Sequence, residues 1–86
     1  MKVSFSKSFK KSYHRLPKKL RNRVDERIIL FAQDPFDVSL QNHELKGKYK
    51  GYRSINITGD LRAHYYTLKK DVALFVALGT HSEFYS

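Results

Sequence analysis

The chain has 86 residues and a mass of 10.1 kDa, room for one core and not for a cofactor domain beside a substrate domain, so residues 1–86 are expected to form a single domain with a shallow site. Hydrophobic residues at 41% and charged residues at 29% set intrinsic disorder aside, and the absence of cysteine excludes a disulfide framework and any thiolate metal site. Seventeen Lys and Arg against eight Asp and Glu give a net charge of +9, which favours a polyanionic partner.

That charge is uneven: Met1 to Arg27 carries ten basic and two acidic residues, whereas Ile28 to Ser86 carries seven and six. The functional reading is a surface for nucleic acid or an acidic protein, and the plain alternative is a solvated helix face. No apolar run approaches the length of a membrane span, and MKVSFSKSFK lacks the apolar stretch of a secretory signal. The chain as written is therefore expected to be the working protein, cytoplasmic and without a membrane partner.

Val3 and Phe5 alternate with Lys2 and Ser4, the period of a short strand with one buried face. Ser6 is placed to cap a helix in which Phe9, Tyr13 and Leu16 recur at helical spacing, and Pro17 then starts a second helix. There Leu20, Val24, Ile28 and Phe31 make an apolar stripe that ends before Pro35, while Lys18, Lys19, Arg21, Arg23 and Arg27 take the other faces. Asp34 to Asn42 reads as a loop. Strands follow at Gly51 to Ile57, Leu61 to Leu68 and Asp71 to Gly79, with turn residues at Thr58 to Asp60 and Lys69 to Asp71. The last strand is almost wholly apolar and should lie centrally with both faces covered. The fold class is α+β, ordered β-α-α-β-β-β, with two N-terminal helices on one face of a small, mainly antiparallel four-stranded sheet.

Alternation places Tyr52, Ser54, Asn56 and Thr58 on one face, expected to meet solvent or a ligand, and leaves Arg53 on the apolar side, where it is expected to reach a carboxylate at the sheet edge. Arg62, His64 and Tyr66 share a face of the next strand. Taken alone, His14 reads as exposed, His64 as a partly buried polar side chain, and His43 as either a loop cap or a site residue. His81 ends an apolar strand, a rigid place from which to display a polar group. The four histidines form no HxxxH or HxH pair, so neither a metal nor a cofactor is expected.

The segments NHELKGKYKGYRSINITGD, LRAHYY and GTHSEFY, with the opening FSKSFKKSYHRLP, resemble the toxins of the RelE/ParE superfamily, and within it the YafQ-type messenger-RNA interferases. The likeness covers essentially the whole chain. It implies the toxin of a bacterial type II toxin–antitoxin system: a ribosome-dependent endoribonuclease that cuts messenger RNA in the decoding site and is neutralised by an acidic antitoxin. Carried over by motif, His43 is the histidine before the LKG turn, Asp60 the hairpin acid, His81 the imidazole of GTH and Tyr85 the terminal aromatic. Arg62 matches the arginine that RelE-like members set on the scissile phosphate. One position departs: Asn56 stands where YafQ-like enzymes carry a histidine and RelE-like ones a lysine, and an amide is no base near neutral pH.

The chemistry suits these residue types. Cleavage through the RNA 2′-hydroxyl needs a base, an acid for the departing 5′-oxygen and positive charge at the phosphorus. His81 is read as the leading acid or base, His43 as its partner, Arg62 as phosphate clamp, Asp60 as orienter or proton acceptor, and Tyr85 as a group that stacks on a base or bonds the phosphate. Lys46, Lys48 and Lys50, interleaved with Tyr49 and Tyr52, suit an RNA backbone, and the Asn56 amide a phosphate oxygen. Two alternatives stand beside this: a ParE-like toxin that binds DNA gyrase without catalysis, and a catalytically silent member.

Overall fold

Val3 and Phe5 turn toward the core from β1 (Lys2–Phe5), and the Ser6 hydroxyl caps α1 (Lys7–Arg15) by accepting from the Phe9 N–H at 3.0 Å. Leu16 is extended because the following Pro17 disfavours helical backbone before it, and α2 (Lys18–Gln33) starts directly after that proline. The computed structural model describes residues 1–85. Beyond α2 come a 3₁₀ turn (Val38–Leu40), β2 (His43–Glu44), a second 3₁₀ turn (Gly47–Tyr49), β3 (Arg53–Asn56), β4 (Leu61–Lys69), β5 (Val72–Thr80) and α3 (His81–Tyr85).

The five strands form one sheet in the order β1-β5-β4-β3-β2, with β1 parallel to β5 and every other pair antiparallel. Phe31 from α2 meets Tyr65 and Phe75 edge-on at 4.8 and 5.1 Å between ring centres, and Phe9 from α1 lies 5.8 Å from Phe75. Phe31, Phe75, Leu40 and Ile55 are completely buried. Each such side chain contributes about 1.5–3 kcal/mol by leaving water, so this layer between helices and sheet dominates the stability.

The α+β order and the two helices on one face are as the sequence indicates. The structure adds β2, an edge strand of two residues, and α3, which lies on the opposite face of the sheet with its Phe84 ring stacked on His64 at 3.8 Å. β5 is interior as expected, paired with β1 and β4, but the middle strand is β4, because β2 adds beyond β3. The two faces of β5 are not both fully covered, since Leu74, Val76 and Ala77 remain half-buried. Ser54 and His64 also depart from expectation: both sit on the polar face, yet both are buried, His64 beneath the rings of Phe84 and Tyr49. Arg53 behaves as expected, pairing with Glu44 at 3.5 Å and donating from Nε to Asn42 Oδ1 at 2.8 Å. Asn42 in turn donates to Pro35 O and Tyr65 Oη, which pins the 34–42 loop to the core.

Candidate active site

Register converts two polar rows of the sequence into one surface. Ser54 lies opposite His64 and Asn56 opposite Arg62 across β3 and β4, while His43 lies opposite Ser54 from β2. Successive rows on one sheet face are about 7 Å apart. Asn56 and Arg62 make one row, His43, Ser54 and His64 the next, and Tyr52 and Tyr66, whose rings meet edge-on at 5.5 Å, the third.

Each side chain is held by something particular. Arg62 Nη1 donates to the carbonyls of Thr58 and Gly59, both at 3.0 Å, which stakes the cation to the β3–β4 turn. Asn56 Nδ2 donates to Gln41 Oε1 at 2.7 Å, and the Asn56 carbonyl accepts from Arg27 Nε at 3.2 Å. His43 is exposed, with Nδ1 2.9 Å from the Gln41 carbonyl. Asp60 is exposed too, and its carbonyl accepts from the His81 N–H at 3.0 Å, so the β3–β4 turn holds the start of α3. The Asp60 residue also lines a cleft of about 280 Å³ shared with Arg15 of α1 and Glu83 of α3.

A reciprocal capping box fixes α3 at its first turn. Glu83 N–H donates to Thr80 Oγ1 at 3.1 Å, and Thr80 N–H donates to Glu83 Oε1 at 2.7 Å. Those bonds hold the Glu83 carboxyl below the usual carboxylate range. The His81 and Tyr85 rings lie 4.7 Å apart, with Tyr85 48% exposed. Tyr49 bridges to this helix by donating from its hydroxyl to Phe84 O at 3.3 Å, and its ring lies 6.1 Å from that of Tyr85. Gly47, at φ +67°, provides the left-handed residue that lets the LKG segment turn and bring Tyr49 there. Lys46, Lys48 and Lys50 are exposed around the same turn, with Lys48 Nζ 5.2 Å from the centre of the Tyr49 ring.

His64 is the buried member of the set. Its Nε2 has no hydrogen-bond partner among the described residues, and burial, with a smaller contribution from His43, pushes its imidazole down to about 4. It is a neutral ring at physiological pH. Among the described residues no group of three or more His, Asp or Glu is gathered as for a metal.

Of the residues singled out in the sequence, Asn56 and Arg62 are direct cross-strand partners, His81 joins Asp60 through backbone and Tyr85 through its ring, and His43 connects to Asn56 through Gln41. Among the described residues no hydrogen bond joins the side chains of His43, Asp60, Arg62, His81 and Tyr85 to one another. Gln41 and Phe84 escaped the sequence reading, which placed Tyr66 in the row of Arg62 without giving it a role. Tyr66 shares strand parity with Arg62, and Thr80-x-x-Glu83 spells a capping box, so two signals were present; Gln41 has none, because its role depends on backbone conformation.

The family model for the YafQ bacterial toxin of type II toxin–antitoxin systems matches residues 1–86. No curated protein matches by sequence. Among solved structures, the chain resembles YafQ from E. coli (TM-score 0.80, 22% identity, 98% of this chain and 97% of that one). It also resembles a copper-bound mutant toxin from Helicobacter pylori (TM-score 0.67, 32% identity, 96% and 97%). A third likeness is to the E. coli DinJ-YafQ toxin–antitoxin complex (TM-score 0.76, 22% identity, 98% and 96%).

Proposed function

Because the chain belongs to the YafQ family of bacterial type II toxin–antitoxin toxins, we propose that it is a ribosome-dependent endoribonuclease acting on messenger RNA. The observation that carries this reading is the single sheet face on which Arg62 and Asn56 stand opposite each other, with His43 in the adjoining row and His81 held beside the same turn. A base there takes the proton of a ribose 2′-hydroxyl, the 2′-oxygen bonds to the adjacent phosphorus, and the bond to the 5′-oxygen breaks as an acid protonates that oxygen. The products are a 2′,3′-cyclic phosphate and a 5′-hydroxyl.

His81 and His43 are the acid–base pair, and the Arg62 cation meets charge developing on the phosphoryl oxygens. Asn56 bonds a non-bridging oxygen. Asp60 orients His81 through the backbone, and Tyr85 stacks on a base beside the cut. Tyr52 and Tyr66 extend the surface for further nucleotides, with Lys46, Lys48 and Lys50 meeting the phosphates. A shallow face of this kind does not orient a flexible RNA unaided, so the ribosome supplies the near-attack geometry.

The partner that silences it is an acidic antitoxin, as the E. coli relative is found in complex with DinJ. Phe9, Tyr13, Ile28 and Ile29 line a groove of about 530 Å³ between α1 and α2, with Lys10 at its edge. The apolar lining matches the apolar face of an amphipathic segment, and since Asp25 offsets Lys10 within the groove, attraction for an acidic face comes from the exposed Lys18 and Lys19 of α2.

Primer extension on messages after induction, with and without translation, tests the function. Breaks confined to translated messages are expected; intact messages with a loss of negative supercoiling select the gyrase-binding reading instead.

A further inference from the structure

We infer that Gln41 is a positioning residue of this site, setting at once which His43 nitrogen is free and where the Asn56 amide points. It rests on the nuclease reading for its consequence in catalysis, but not for its geometry. Gln41 has φ 48° and ψ 46°, the left-handed region that a side chain bearing a Cβ adopts unwillingly. It closes the 3₁₀ turn Val38–Leu40, its N–H donating to Val38 O at 3.2 Å, a task that glycine would perform without strain. Both of its remaining polar groups are engaged at the site. The carbonyl faces His43 Nδ1 at 2.9 Å, and the side-chain oxygen accepts from Asn56 Nδ2 at 2.7 Å.

A carbonyl oxygen only accepts, so the nitrogen facing it carries the proton. The neutral His43 ring is therefore the Nδ1–H tautomer, and its lone pair is on Nε2, the atom that would take a proton from substrate. The same left-handed turn sends the Gln41 side chain to β3, where it takes up one amide proton of Asn56 and fixes that amide in the row of Arg62. One residue thus sets two of the groups that would surround a scissile phosphate. Strain at a residue whose carbonyl and side-chain oxygens both bond site residues is the pattern expected of a positioning device.

Nitrogen-detected NMR of the free protein reads the His43 tautomer directly, before any RNA is added. The parent is expected to show the Nδ1–H form alone; an Nε2–H ring or a mixture of the two overturns the inference without any variant. Gln41→Gly keeps the turn and the carbonyl but removes the amide. It should retain the Nδ1–H ring, lose the restraint on the Asn56 side-chain amide, and cleave ribosome-bound message at least threefold more slowly with ribosome affinity unchanged. Gln41→Val, whose branched side chain resists the left-handed region, should also lose the tautomer and cleave more slowly still. A folded Gln41→Gly protein that cleaves at the parent rate with an ordered Asn56 amide contradicts the proposal. A parent that never cleaves contradicts the nuclease reading instead and leaves the tautomer measurement to decide the geometry.

Discussion

Arg62 donates from Nη1 to two turn carbonyls, and among the described residues Nε and Nη2 have no acceptor, so a planar fork remains for a phosphate while the side chain stays anchored. Arg62→Ala should therefore lower both cleavage and binding, whereas His81→Ala should lower cleavage by about 10²-fold or more with ribosome binding retained. Single-turnover cleavage alongside equilibrium binding separates the two patterns. His64 carries a different expectation. Its folded value of about 4 lies below the ordinary 6.5, so the unfolded chain binds the extra proton between them and stability falls as pH drops through that window. Denaturant titrations from pH 7 to pH 4 should show the fall, and His64→Leu should lessen it, because leucine has no group to titrate in that window. A slope unchanged in His64→Leu would place the acid sensitivity elsewhere. At this scale the sequence was informative about which residues share a face and silent about depth: strand parity grouped Arg62, His64 and Tyr66, yet it is the rings of Phe84 and Tyr49 overhead that bury the middle one.

Elements with long periodic patterns were legible for physical reasons. The Leu20, Val24, Ile28 and Phe31 stripe needs a helix to become one face, and Pro17 and Pro35 bound it from either side. Two short elements were not. β2 has two residues, too few for alternation, and exists through its pairing with β3; α3 has five, too few for a stripe, and exists through its capping box and its packing on His64. The close seat of α3 makes a prediction. A Cβ at Gly79 would stand 3.3 Å from Glu83 Oε1 and 3.4 Å from the tip of the Phe84 ring, so in Gly79→Ala those side chains must give by a few tenths of an ångström, loosening the seat of α3 while β5 stays paired. Amide exchange in residues 81–85 should quicken and cleavage decline, with the midpoint of global unfolding moving little. Unchanged exchange in α3 would show that the helix accommodates the methyl group.

For the molecule as a whole, charge separates the helical end from the sheet. Of the cations before residue 28, some are already committed: Arg21 Nη1 donates to Leu16 O at 2.7 Å, and Arg27 ties α2 to Asn56 O and to Ser39. Lys18 and Lys19 are exposed and make no ion pair among the described residues, so Lys18→Glu with Lys19→Glu is the clean reversal for antitoxin binding. Association should slow and lose much of its salt dependence, while dissociation changes less. Association that is unaffected by both salt and the reversal would mean that the acidic partner docks away from these helices. The asymmetry was readable from the sequence, but which cations were free was not, since that depends on carbonyls brought near by the fold.

The central claim, that this sheet face cuts RNA by acid–base attack of its own 2′-hydroxyl, is tested most directly by the chemistry of the ends it leaves. Message cleaved on translating ribosomes should carry a 2′,3′-cyclic phosphate, or its opened monophosphate, upstream of the break and a 5′-hydroxyl downstream, and both should vanish with His81→Ala. A 5′-phosphate at the break, or the same ends at the same rate from folded His81→Ala, would contradict it.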